Sequence, residues 1–193
     1  MSKTATSTAE EAINGYITDM LALEEHIVTA VQGQQENLKK EHPMFSGVLK
    51  SIELKAMRHV DALKALVEAR EIGVGGTISE VVKRAGSVVL GVGAAAIDLV
   101  RSERVPKNLR DDYTALALAT IGYSMLFTTA TSLGDTEVAA LASLQHKDYA
   151  TSSMELAHIV PASVLVFLAD EGMEADTGVL DAVRTELDAH WRD

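Results

Sequence analysis

Apolar residues recur at alternating spacings of three and four along most of this chain, the period of an α-helix that buries one face. Ile13, Ile17, Met20, Glu24, Ile27 and Val31 form the first seam, which predicts a helix over 9–33 and puts a carboxylate at a core-facing position. Leu49, Ile52, Ala56, His59, Leu63 and Leu66 form a second, which predicts a helix over 45–70 with an imidazole turned to the same core. Glu53 lies six residues before His59, about 120° away around the helix, and reads as solvated. Between the two helices, the polar run from Gln32 to Asn37 and then His42 and Pro43 predict a connection of roughly a dozen residues. Residues 1–8, rich in Ser, Thr and Ala, are expected to be a mobile arm before a single domain over 9–193.

The second half repeats the pattern with fewer charges. Tyr113, Leu116, Thr120, Tyr123, Phe127 and Ala130 predict a helix over 110–132, and because Ala, Leu, Ile and Met fill most of its other faces it is expected to be buried on several sides. Gly134 suits a left-handed position at its end, and Asp135 or Thr136 can cap a following helix with Glu137 in its first turn. That helix, over 135–160, places Ala139, Ala142, His146, Tyr149, Ser153, Leu156 and Val160 on one stripe, and Pro161 is expected to end or kink it. Past Pro161, 164–168 stays apolar and Gly172 closes the run. A short last helix over 177–191 carries Leu180, Val183, Leu187 and Trp191 on one side.

A glycine-rich crossover joins the halves. Thr77 to Glu80 resembles a capping box and opens a helix over 77–103. The stretch 86–97 within it is small and apolar throughout, which fits close packing on a bundle. About 15 apolar residues fall short of the ~20 that span a bilayer, so membrane contact is not expected.

Composition narrows the class. Three prolines, and 47% hydrophobic residues of which few are aromatic, favour Ala, Leu and Val packing between helices over a sheet. A net charge of −11 leaves no basic stripe to neutralise phosphates, so a nucleic-acid partner is not expected. With no cysteine, disulfides, thiol catalysis and thiolate metal sites are excluded, consistent with a cytoplasmic protein. The polar start of the chain lacks the apolar segment of a signal peptide. No phosphate-binding loop follows a strand, and no local arrangement of Ser, His and Asp suggests a nucleophile.

The chemistry gathers at one level. If the crossover runs the length of the bundle, Glu24, His59, Tyr123 and His146 all fall near mid-height, and a carboxylate and two imidazoles there need pairing, hydrogen bonds or a metal. Glu155 and His158 form a Glu-x-x-His pair, but His158 lies a dozen residues beyond His146, ~18 Å from that level, and the pair reads as capping or solvated.

Two helical hairpins and a long crossover are the arrangement of ferritin-like bundles. The segments 19–25 (DMLALEE), 59–63 (HVDAL) and 133–141 (LGDTEVAAL) resemble small bacterial stress-associated ferritin-like proteins over most of the chain outside the crossover and tail. The resemblance implies an all-α ferritin-like four-helix bundle with an extra crossover helix and a short C-terminal helix. It also implies a centre in which one Glu from each of two helices and a Glu-x-x-His pair from each of the other two bind two iron or manganese ions. Glu24 matches the first carboxylate and His59 the second-helix histidine, but Ala56 stands where its Glu partner belongs. The third helix offers Ile121, Gly122, Tyr123 and Ser124 in place of a carboxylate, and the fourth offers His146 beside Gln145 and Tyr149 with no Glu. The expectation is a bundle that has lost its di-metal centre and acts as a binding or structural, stress-related protein rather than an enzyme. The alternative is an iron- or manganese-binding redox protein using Glu24, His59 and His146, with Tyr123 and Tyr149 around them. The apolar crossover and the Trp191 helix suggest a homo-oligomer.

Overall fold

The computed structural model describes residues 3–73 and 104–190, and these are helical with no strand among them. Helix α1 spans Lys3–Glu41, α2 Pro43–Ala69, α3 Arg104–Leu133 and α4 Thr136–Asp170; a 3₁₀ turn at Thr177–Val179 leads into α5, Leu180–His190. The all-α expectation holds. The crossover helix expected over 77–103 and its apolar stretch 86–97 lie outside the described residues.

The four long helices pack as two hairpins, α1 with α2 and α3 with α4, joined face to face through α1 on α3 and α2 on α4. Contacts fix the directions. Glu24 meets His59 while Gln35 meets Ser46, so α1 and α2 are antiparallel. Glu24 meets Tyr123 while Gln34 meets Asp112, so α1 and α3 are antiparallel. His59 meets Asp148 while Lys55 meets Ser152, so α2 and α4 are antiparallel too. Helices α2 and α3 therefore run the same way, so the end of α2 and the start of α3 lie at opposite ends of the bundle.

Both N-terminal seams are buried as their spacing predicts, Ile13 to Val31 on α1 and Leu49 to Leu66 on α2. The expected dozen-residue connection between them is instead a single residue, His42. Gln, Glu, Lys and Leu are good helix formers, Leu38 is buried, and Pro43 fits the first turn of α2, where no amide donor is needed. The segment expected as an arm is helical from Lys3 on.

The turn between α3 and α4 is built as the residues predict. Gly134 takes φ +80°, its N–H bonds the Thr131 carbonyl and the Asp135 N–H bonds the Ala130 carbonyl, which together close α3 in a Schellman motif. Asp135 then caps α4, accepting from the Val138 N–H at 3.2 Å, and Arg70 from the end of α2 binds its second oxygen at 2.6 Å. Pro161 does not end α4, which continues to Asp170 because buried Ser163 and half-buried Val166 keep that end packed on the bundle.

Two stripes differ from expectation. The buried face of α4 is Val138, Ala142, Gln145, Tyr149, Ser152 and Leu156, one residue away from the expected stripe at His146 and Ser153. Helix α3 is buried on one face only, leaving Leu118, Ile121, Met125 and Phe127 exposed. Both helices are so apolar that periodicity alone does not mark which face turns inward. By length and composition alone, Val105–Leu133 and Thr136–Asp170 are also long and apolar enough to cross a membrane.

Candidate functional site

Glu24 is fully buried at the level where all four helices meet. The Tyr123 hydroxyl from α3 donates to its Oε1 and the Tyr149 hydroxyl from α4 to its Oε2. His59 from α2 completes the layer, its Nδ1 3.0 Å from Glu24 Oε1. The other ring nitrogen, Nε2, lies 3.2 Å from Asp148 Oδ2. Arg58 places a guanidinium nitrogen 3.6 Å from that same Asp148 oxygen, at the edge of the bundle where Asp148 is partly exposed. The His59 ring meets Tyr149 edge-on at a centroid distance of 4.8 Å and Tyr123 at 5.9 Å.

Each side chain arrives through its helix period. Glu24 continues the Ile17, Met20, Ile27 seam; His59 sits between Ala56 and Leu63; Tyr123 lies between Ala119 and Leu126 and Tyr149 between Gln145 and Ser152. Burial raises the pKa of both phenols well above the ordinary tyrosine value, and the negative charge of Glu24 raises them further. They stay protonated and act as donors. Which ring nitrogen of His59 donates depends on its tautomer. The result is a continuous hydrogen-bonded line from partly exposed Asp148 through His59 to Glu24, closed on the far side by two phenols.

The expected residues are placed unequally. Glu24, His59, Tyr123 and Tyr149 converge. His146 does not: it is half-buried on the neighbouring face of α4, Gln145 takes the core position, and no hydrogen bond joins His146 to Glu24 or His59. Asp148 joins the layer in its place. Its signal in the sequence is modest, as the one acidic residue of α4 between Glu137 and Glu155 and the immediate neighbour of Tyr149. Tyr149, expected around a metal, is a direct partner of Glu24. Glu53, expected in solvent, is 7% exposed and held by Gln32 at 3.2 Å and Lys50 at 2.8 Å. Glu155 and His158 are both exposed, with Glu155 3.8 Å from Lys55, as a surface pair should be.

This donor set does not fit two metal ions. Among the described residues no group of three or more His, Asp or Glu is placed to hold one. Glu24 and Asp148 bind opposite nitrogens of one imidazole, so a cation at either carboxylate is remote from the other. Both Glu24 oxygens already accept from phenols. Ala56 is buried where a carboxylate would be needed, and the Met20 sulfur fills the space beside Gly122, 2.5 Å from where a Cβ there would stand.

No family model, curated protein or solved structure matches the chain.

Proposed function

We propose that the protein is a ferritin-like bundle in which a closed hydrogen-bonded cluster has replaced the di-metal centre, and that it works as a binding or structural protein rather than as a redox enzyme. The observation that carries this reading is that both oxygens of Glu24 and both nitrogens of His59 are bound by side chains of the same layer. A role in a stress response follows only from the resemblance of segments 19–25, 59–63 and 133–141. The parallel run of α2 and α3 supports the ferritin-like topology.

Elemental analysis of protein purified from its own host tests the reading, with anaerobic loading by ferrous iron or manganous ion as the second arm. The expected result is no stoichiometric metal in either arm. Two ions per chain, lost in Glu24→Ala and His59→Ala, would overturn it in favour of an iron or manganese centre.

The outer stripe Leu118, Ile121 and Met125 on α3, with Leu144 and Met154 exposed on α4, supports a homo-oligomer over a monomer. Light scattering on a size-exclusion column should give a dimer or larger species that Ile121→Glu dissociates. A monomeric wild type that floats with liposomes would replace this with membrane association.

A further inference from the structure

Away from the buried layer, a cleft of about 980 Å³ opens between the start of α3, the middle of α4 and the C-terminal helix α5. Its walls are largely apolar, formed by Val48, Met154, Val160, Pro161 and Leu187. Pro161 shapes its floor. Having no N–H, it leaves the Ala157 carbonyl without its helical donor, while the next carbonyl, of His158, accepts from Arg184 Nε of α5 at 3.3 Å. That bond moors α5 and holds the Arg184 side chain, half-buried, in the cleft wall.

The charged groups facing the cleft are not equally matched. Arg110 is bound by Asp111 at 2.6 Å, and Glu155 lies 3.8 Å from Lys55. Arg184 has its carbonyl contact and forms no ion pair among the described residues, so the terminal edge of its guanidinium is open to an anion. Exposed Asp188 and Glu155 at the same cleft disfavour a dianion. One open guanidinium fork beside an apolar wall matches one carboxylate on an apolar body.

We propose that this cleft binds a small amphipathic monocarboxylate, its carboxylate on Arg184 and its apolar body along Val48, Met154, Val160, Pro161 and Leu187. The site is independent of the mid-bundle layer and stands whether or not that layer binds metal.

Octanoate is a suitable probe, titrated into the full chain by calorimetry and by amide chemical shifts. Saturable binding is expected, with shifts concentrated in 154–161 and in α5 of the unmodified protein. 1-Octanol and octyl phosphate should each bind about tenfold more weakly, and each methylene removed from the acid should cost about threefold to fourfold. Arg184→Gln should weaken octanoate about tenfold, with Arg184→Lys intermediate, because an ammonium keeps the charge without the fork. The proposal is overturned if octanol binds as tightly as octanoate, if chain length has no effect, or if the shifts in unmodified protein map elsewhere. The last measurement decides even if Arg184→Gln undocks α5.

Discussion

Two carboxylates are sunk between α1 and α3, and the bundle handles them differently. Glu24 at mid-height has two phenols and an imidazole around it. Asp112, 6% exposed, lies beside Gln34, about ten residues or ~15 Å further along α1. Among the described residues its one hydrogen-bond donor is the Gln34 amide at 2.9 Å, and Asp112 Oδ2 and Gln34 Oε1 are both buried with no partner there. Burial, with the charge of neighbouring Asp111 and against the Gln34 hydrogen bond, pushes the Asp112 pKa up to about 7. A buried carboxylate can thus be supplied with donors or with a proton. Protonated Asp112 would offer at Oδ2 the donor that Gln34 Oε1 lacks, completing a reciprocal acid–amide pair.

The largest effect expected from this contrast is at Glu24. Glu24→Leu removes the acceptor of two buried phenols and of His59 at once, and should cost about 3–5 kcal/mol in urea denaturation, as removal of one member of a buried network does. A cost below about 1 kcal/mol would mean that the layer rearranges freely and is no fixed cluster.

Asp112 should respond in the opposite sense. Its folded pKa of about 7 lies above the unfolded value near 3.9, so between those values the native state holds the extra proton. Stability from this group is full below about pH 4 and is lost as pH rises through about 7. Asp112→Asn should flatten that decline and stabilise the protein by about 2–3 kcal/mol at pH 8, with little change at pH 4. Urea midpoints at the two pH values check this; a variant less stable than wild type at pH 8 would show that the charged form is accommodated.

The same contrast explains what was legible in the residues. The seams of α1 and α2 alternate sharply with charged faces, so their spacing alone marks Glu24 and His59 as inward. Helices α3 and α4 are apolar nearly all round, and there the spacing leaves the phase ambiguous: it places Tyr123 and Tyr149 on the correct face but puts His146 at the position that Gln145 occupies. Asp148 and Glu53 were missed for one reason. An acidic residue flanking a core stripe reads as solvated unless its partner on another helix is known, and those partners, His59 for one and Gln32 for the other, are fixed only by packing. The break at His42 is hidden in the sequence because a run of polar helix formers has the polarity of a loop.

His59→Leu should be milder than Glu24→Leu. Glu24 keeps both phenols, and Asp148, partly exposed, can turn to Arg58 and water. A cost of about 1–2 kcal/mol is expected, matching the loss of hydrogen bonds while two phenols still donate to Glu24. A loss as large as that of Glu24→Leu would make His59 the centre of the layer.

The smallest effect concerns Glu53, which mirrors Asp112 with the opposite sign. Both carboxylates take an amide from α1, Glu53 from Gln32 and Asp112 from Gln34. Glu53 also has Lys50, one turn earlier on α2, whose hydrogen bond and charge, with that of Gln32, hold its pKa below the ordinary glutamate value against the effect of burial. Its contribution is therefore present above the unfolded pKa and lost as pH falls through the depressed folded value, the reverse of Asp112. Because the Lys50 side chain is largely exposed, Lys50→Ala should cost only about 0.5 kcal/mol at neutral pH. The sharper readout is the Glu53 carboxyl resonance in an NMR titration, which should move to higher pKa in the variant, toward the behaviour of Asp112. An unchanged Glu53 titration would show that the amide of Gln32 alone keeps it ionised, and the difference between the two glutamine-bound carboxylates would then have to come from the depth of Asp112 and the charge of Asp111.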